Sequence, residues 1–350
     1  MRRERTYVIL RAVLLLSISL LVRSNWADEQ DIISFISKKD EDRPIYLINI
    51  QGEVLQKLIT EPGQPATFTW SPDGRSITYG SNRNGDPDIY VMDMRTNTHR
   101  QLTFGGRDLW PAWSPNGKWI AFVSERAADR DIYRMDVNGE NVKRLTNQGK
   151  CGRPAWSPDS QWIAFVSTPN EGVIAKPFLF VMHADGRRLR QLAEAASFPH
   201  CTWAPSGKQI AFISSDAEGG NDIFSINVDG GNLRQLTWSD PLVLISSPVW
   251  SPSGKWIAYV LAQMPVELKP VAAAEIFANS VIYIVNTADG GRGEPLESTR
   301  GLITSSSLAW IPAKESFSVS PKGEKQMTLW GKLKQLGNNG QTDKYLNVIP

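Results

Sequence analysis

Apolar residues in this chain come in short runs separated by polar turn dipeptides, and the arrangement returns at a near-constant stride. The runs Trp119-Ile120-Ala121-Phe122-Val123, Trp162-Ile163-Ala164-Phe165-Val166, Gln209-Ile210-Ala211-Phe212-Ile213 and Trp256-Ile257-Ala258-Tyr259-Val260 are rich in β-branched and aromatic residues. Their shortness and the lack of a helical stripe predict strands, and apolarity on both strand faces predicts sheets sandwiched between neighbouring sheets. Phrases of Trp-Ser-Pro type set the stride: Trp70-Ser71-Pro72, Trp113-Ser114-Pro115, Trp156-Ser157-Pro158, Trp203-Ala204-Pro205, Trp250-Ser251-Pro252 and Trp310-Ile311-Pro312 stand 43, 43, 47, 47 and 60 residues apart. A period in the forties marks propeller blades or helical arrays, and the strand content of each unit selects the propeller.

Each unit reads as four strands. An apolar run into the Trp is the innermost, and a turn such as Ser71-Pro72-Asp73-Gly74 or Ser114-Pro115-Asn116-Gly117 carries the chain back, with proline presetting φ and glycine accepting the bend. The second strand is one of the apolar runs above. A third carries an Ile-Tyr type pair (Ile45-Tyr46, Ile89-Tyr90, Ile132-Tyr133, Leu179-Phe180, Ile223-Phe224, Ile282-Tyr283), and the fourth ends in a Leu-Thr pair at Leu102-Thr103, Leu145-Thr146 and Leu236-Thr237. From about Asp31 the first unit has strands two to four without an innermost strand, while Ser307 to Pro312 supplies an innermost strand with little after it. Pairing these ends closes the ring and removes the free sheet edge. The expectation is an all-β fold, a six-bladed β-propeller of four-stranded antiparallel blades over residues 28–317, as one domain.

Residues 1–27 look like an export signal, with Arg2, Arg3 and Arg5 at a basic start, an apolar stretch from Ala12 to Val22 too short to span a bilayer as a helix, and a cleavage region at Ser24-Asn25-Trp26-Ala27. Without their five Arg and one Glu, 33 basic residues stand against 35 acidic ones. A mature chain so near neutrality gives no electrostatic case for nucleic acid or anionic membranes. Residues 318–350 read as a polar tail in which Leu329, Trp330, Leu333 and Leu336 fall at helical spacing. Cys151 and Cys201 both lie just before innermost strands of neighbouring units, where either a bridge or two separate thiols is possible. Neither they nor His99, His183 and His200 show metal-site spacing, so no metal or cofactor is expected.

Asp88, Asp131 and Asp222 recur immediately before the Ile-Tyr type pair, with Arg83 and Arg126 five residues ahead of the first two. Such periodicity predicts a structural role in which the carboxylate caps loop N–H groups and pairs with the Arg. Binding chemistry is sought in the loops that precede innermost strands and those between strands two and three. The first set offers Arg107, Asp108, Trp110, Arg153, Phe198, His200, Trp238 and Asp240, a mixture of aromatic, Arg and acidic residues of the kind that anchors interfaces. The second includes an apolar insertion, Leu261 to Ser280, with Met264 and Phe277, and a smaller one from Thr168 to Lys176.

The fullest repeat, Pro111-Ala112-Trp113-Ser114-Pro115-Asn116-Gly117-Lys118-Trp119-Ile120-Ala121-Phe122 followed by Asp131-Ile132-Tyr133-Arg134-Met135-Asp136 and Arg144-Leu145-Thr146, resembles the TolB-type propeller repeat. The resemblance covers about Asp31 to Pro312 and implies a six-bladed propeller in the periplasm of a diderm bacterium, acting through an envelope protein partner. The α/β domain that precedes the propeller in TolB is not matched by any segment here. Related propellers also occur fused to serine peptidases, but no Gly-x-Ser-x-Gly elbow is present and the stretch after Pro312 is too short for a hydrolase domain. The expected function is therefore that of an exported, monomeric, non-catalytic protein-binding module. A saccharide or peptide held, or cleaved, in the central channel is the alternative.

Overall fold

Twenty-four strands and one short 3-10 turn at Glu297–Thr299 make up the regular structure in this computed structural model, which describes residues 32–37, 43–58, 67–127, 129–147, 149–168, 176–196, 200–215, 220–240, 242–264 and 279–311. The chain begins with β1 (Ile32–Ser37), β2 (Ile45–Asn49) and β3 (Val54–Leu58). Blade one is β4 (Thr67–Trp70), β5 (Ser76–Ser81), β6 (Asp88–Asp93) and β7 (Thr98–Gln101), and blade two is β8 (Asp108–Trp113), β9 (Trp119–Ala127), β10 (Asp129–Asp136) and β11 (Lys143–Arg144). Blade three is β12 (Ala155–Trp156), β13 (Trp162–Ser167), β14 (Phe178–His183) and β15 (Arg190–Glu194). Blade four is β16 (Cys201–Trp203), β17 (Gln209–Ser215), β18 (Asn221–Asn227) and β19 (Arg234–Gln235), and blade five is β20 (Val243–Trp250), β21 (Trp256–Gln263), β22 (Val281–Asn286) and β23 (Glu294–Leu296). Finally β24 (Ile303–Trp310) takes the innermost place beside β1 in a sheet ordered β24-β1-β2-β3, so the six-bladed ring closes with strands from both ends of the described chain. The leader, the tail and most of both insertions lie outside the described residues.

The Trp-Ser-Pro phrase does two jobs, one in the turn and one between blades. In the turn, Ser71 Oγ donates to Asp73 and accepts the Ser76 N–H at 2.9 Å, and Ser114 does the same with Asn116 and Trp119. Gly74 and Gly117 close these turns at φ 68° and 73°, a region where a Cβ would be strained. Between blades, the indole N–H reaches back to the preceding innermost strand. Trp156 donates to Ala112 O, Trp203 to Ala155 O and Trp310 to Val249 O, each at 3.0 Å and each to the residue just before that strand's own Trp. At the closing seam the stitch is relayed: Trp70 donates to Ser34 Oγ at 2.9 Å, and Ser34 donates to Ala309 O at 2.9 Å. Trp250 departs from the pattern by bonding to Gly254 O in its own turn.

The second strands are buried throughout their centres, as sandwiched sheets require. Opposite them, the Tyr or Phe of the Ile-Tyr type pair meets an aromatic ring across the ladder in every blade. Phe122 stacks on Tyr133 with ring centres 5.9 Å apart, Phe165 on Phe180 at 5.6 Å, and Tyr259 on Tyr283 at 5.7 Å. Such cross-strand aromatic pairs each add about 0.5–1.5 kcal/mol beyond their buried area.

The periodic aspartates form latches. Asp131 Oδ1 accepts the Thr146 hydroxyl at 2.7 Å while Thr146 Oγ1 accepts the Ile132 N–H at 2.9 Å, joining the start of a third strand to the end of the fourth. Asp222, Thr237 and Ile223 repeat this geometry at 2.7 and 2.9 Å, and Asp88, Thr103 and Ile89 at 3.2 and 3.0 Å. The recurrent Thr of Leu-Thr is thus the partner of the recurrent Asp. The expected arginines are not: Asp131 pairs with Arg144 at 2.5 Å, Arg126 turns instead to Asp108, and Arg83 donates to Tyr79 Oη at 2.6 Å. A fourth-strand residue lies directly across the ladder from the third strand, closer to the carboxylate than a residue beyond the hairpin.

Thr146→Val keeps the side-chain volume but strands the Ile132 N–H and leaves Asp131 Oδ1 only its longer bonds from the Gly149 N–H and the Cys151 thiol. It is expected to lower the unfolding free energy in a urea titration by about 1–3 kcal/mol. Thr146→Ser should stay within about 0.5 kcal/mol of the parent. Equal effects of the two substitutions would show that the latch contributes nothing.

Candidate functional site

The innermost strands of all six sheets surround a central cavity of about 410 Å³. The residues three positions before each recurrent Trp are Thr67, Trp110, Arg153, His200, Ser247 and Ser307, one from each blade, and the first five line this cavity. Two of the strands are re-aimed by proline. Pro111 and Pro248 cannot donate to a ladder, and around them β8 and β20 bulge, with Trp110 at φ 53° and Ser247 at φ 52°.

Four of these residues are linked in succession around the ring. The Arg153 guanidinium lies 5.6 Å from the centre of the Trp110 ring, which Arg130 approaches at 5.8 Å. Arg153 is also near enough to His200 for its charge to be felt there, and His200 Nδ1 accepts the Ser247 N–H at 2.8 Å. Burial, reinforced by the Arg153 charge, holds His200 well below the ordinary histidine value. A neutral ring that accepts at Nδ1 carries its proton on Nε2, as a donor. Burial alone pushes Arg153 down to about 9, which leaves it a cation at neutral pH. Its Nε has no hydrogen-bond partner, and among the described residues no carboxylate pairs with it. Among the described residues no Asp or Glu lines the cavity.

The other residues singled out by sequence are dispersed. Asp108 is fully buried, with Oδ2 bonded to Arg126 at 2.7 Å, and Arg126 in turn lies over the Phe122 and Tyr133 rings. It is a strut inside blade two, out of a partner's reach. Arg107 is exposed and pairs with Glu125 at 3.2 Å. Trp238 is half exposed beside Gly290 of the next blade, and Asp240 pairs loosely with Arg292 at 3.4 Å. Met264 is exposed at the end of β21, where its N–H donates to Leu242 O, and Leu242 is itself 54% exposed. Phe198 and Phe277 lie outside the described residues. Sequence reasoning overlooked Thr67, Ser247, Arg130 and Leu242. The first two were recoverable, because they hold the same place in the stride as Trp110, Arg153 and His200.

Both thiols are free. Burial raises Cys151 to about 11 and Cys201 to about 12, so neither is a nucleophile at neutral pH. Among the described residues no three His, Cys, Asp or Glu side chains are grouped to hold a metal ion.

The chain matches the profile of the TolB beta propeller domain over residues 12–151 and 146–275. It is 32% identical over 80 residues to the Tol-Pal system protein TolB of Desulfosudis oleivorans, a match that takes in 23% of this chain and only 18% of that relative. Its fold is similar to that of TolB from Acinetobacter baumannii, with a TM-score of 0.58 and 22% identity across 81% of this chain and 67% of the other. It is also similar, at a TM-score of 0.50 and 15% identity across 73% of this chain and 69% of the other, to an oligogalacturonate lyase in complex with manganese. Identities this low in the last two compare the fold alone.

A histidine held neutral by the fold makes stability depend on acidity. Below about pH 6.5 the unfolded chain protonates His200 while the folded protein does not, so its contribution falls as pH drops from there toward the folded-state value. His200→Gln can still accept from Ser247 but has no proton to gain. Urea titrations at pH 7 and pH 5 should show a smaller loss of stability for the variant than for the parent. An identical loss would mean that His200 is protonated in the folded channel.

Proposed function

The chain belongs to the TolB beta propeller domain family, and on that premise we propose that it is an exported, non-catalytic interaction module of the cell envelope that docks a protein partner. The observation that carries this reading is an exposed apolar patch on blades four and five. Leu242 and Met264, joined by a backbone hydrogen bond, stand 54% and 39% exposed where β20 begins and β21 ends. Trp238, 48% exposed, precedes them on the connection from blade four. Exposed large apolar side chains flanked by charge, here Asp240 and Arg292, are the composition of a docking surface rather than of a solvated rim.

Further support comes from the ring itself. Loops held at both ends by packed blades have little conformational freedom to lose on binding, which favours recognition by a pre-organised face. The leader expected over residues 1–27 and the Tol-Pal relative favour the periplasm. No helix among the described residues is long and apolar enough to cross a membrane. A Pal-type envelope protein is the partner to try first, and a monomeric propeller is the form in which it docks.

The test is a calorimetric titration of the mature chain, residues 28–350, with the Pal protein of the same organism. Binding is expected, and the Leu242→Ser/Met264→Ser double variant should weaken it by about tenfold or more, since hot-spot truncations remove at least that much affinity. Binding that survives the double substitution would move the interface elsewhere, and absence of binding by the parent would remove the Tol-Pal assignment.

A further inference from the structure

Most polar features that repeat around this ring are satisfied internally, by the indole stitches, the turn hydroxyls and the Asp-Thr latches, the unpartnered Trp113 indole N–H being an exception. The channel arc is different, because its members do not repeat and its charge is not balanced. Arg153 presents a cation to a cavity that no Asp or Glu among the described residues lines, its Nε buried and unbonded, and its guanidinium packed against the face of Trp110. A cation withdrawn from bulk water without a counter-charge is costly, and such groups ordinarily find an anion. Next to it, His200 offers a second donor at Nε2, since its Nδ1 is taken by Ser247. Arg153 and His200 stand just ahead of the innermost strands β12 and β16, side by side at the channel.

We infer that the central channel is a binding site for a carboxylate-bearing ligand, with Arg153 as the charge partner, His200 Nε2–H as an additional donor, and Trp110 as the surface that orients the guanidinium. A carboxylate fits better than a phosphate. One guanidinium and one neutral imidazole supply a single positive charge, which matches one negative charge and leaves none over in a half-dry cavity. Arg130, the other guanidinium near Trp110, approaches the same ring and is not among the residues lining the cavity. Beyond the charged end, Phe68, Val249 and Leu308 give the cavity apolar walls, so the carboxylate should be carried on an apolar or aromatic body. About 410 Å³ accommodates a small organic acid or the last residues of a peptide. This site is distinct from the patch at Leu242 and Met264, and its existence does not rest on the docking reading.

The probes are benzoate and its neutral isostere benzamide, titrated into the mature chain at pH 7.5 and followed by saturation-transfer NMR. Benzoate should bind at least about tenfold more tightly than benzamide, the usual discrimination for a hydrogen-bonded charge. In Arg153→Gln that preference should vanish, with benzamide binding unchanged. Arg153→Lys should keep part of it, because a point charge replaces the bidentate fork. Melting temperatures give an independent readout: saturating benzoate should raise that of the parent and leave that of Arg153→Gln where it was, whereas an Arg153 needed only for packing would make the variant less stable and leave the parent indifferent to benzoate. The tripeptide Ala-Ala-Phe and its C-terminal amide then separate the two sources of such a group. Tighter binding of the free acid than of benzoate identifies a peptide end, and weaker binding identifies small organic acids. Equal affinities of the parent for benzoate and benzamide, or no benzoate binding at about 20 mM, far weaker than a built site would give, would overturn the inference even if no Arg153 variant folds.

Discussion

The pairing of β24 with β1 is the constraint on which the rest of this molecule depends. Ile33, Ser34 and Phe35 register against Trp310, Ala309 and Leu308, and through that ladder strands more than 250 residues apart in sequence become one sheet. The seam also repairs the indole stitching. Trp156, Trp203 and Trp310 bond directly to a carbonyl of the preceding innermost strand, but at the seam Ser34 stands between Trp70 and Ala309 and relays the bond. With the ring closed there is no exposed innermost edge, and six strands are held facing a common axis. Opened, the same strands would define no cavity.

That arrangement divides the labour within each repeat. Positions that recur are largely consumed by the fold: four of the six indoles reach the neighbouring blade, the Ser hydroxyl ties the turn, the aromatic of the third strand stacks on the second, and Asp and Thr latch the third strand to the fourth. The position three before the Trp has no such duty. It is Thr67, Trp110, Arg153, His200 and Ser247 in the five blades where it lines the channel, free to differ because it faces that channel rather than another blade. Asp108, two positions before Trp110, shows the opposite case, a charged residue that looks like surface chemistry and is a buried brace for Arg126.

The fold was legible because its causes are periodic. Trp-Ser-Pro, the apolar second strand and the Ile-Tyr pair are each required by local geometry in every blade, so six copies of one signal coincide. The latch was half legible: the spacing of Asp88, Asp131 and Asp222 announced a structural carboxylate, but its partner Thr lies on a fourth strand 15 residues away, and the nearer arginines drew attention instead. The position of the channel residues was not legible. Trp110, Arg153 and His200 were read as loop-rim residues, whereas the proline bulges and the closeness of the innermost strands turn them into the channel. Depth along a ring axis leaves no mark in hydrophobic periodicity, though a comparison of equivalent positions between blades would have found Thr67 and Ser247 beside Trp110, Arg153 and His200.

The fixed geometry of the channel requires that the ring be one cooperative body closed by β24. Native-state hydrogen exchange, resolved by peptide or by residue, measures this directly by comparing amides of β1 and β24 with those of β13 and β14 in blade three. The account predicts that the hydrogen-bonded amides of Ile303–Trp310 and Ile32–Ser37 exchange as slowly as those of blade three and lose protection together with them as denaturant is added. Protection of β24 that is lost at much lower denaturant, while the whole blades stay closed, would contradict it, and with it the fixed geometry of the channel.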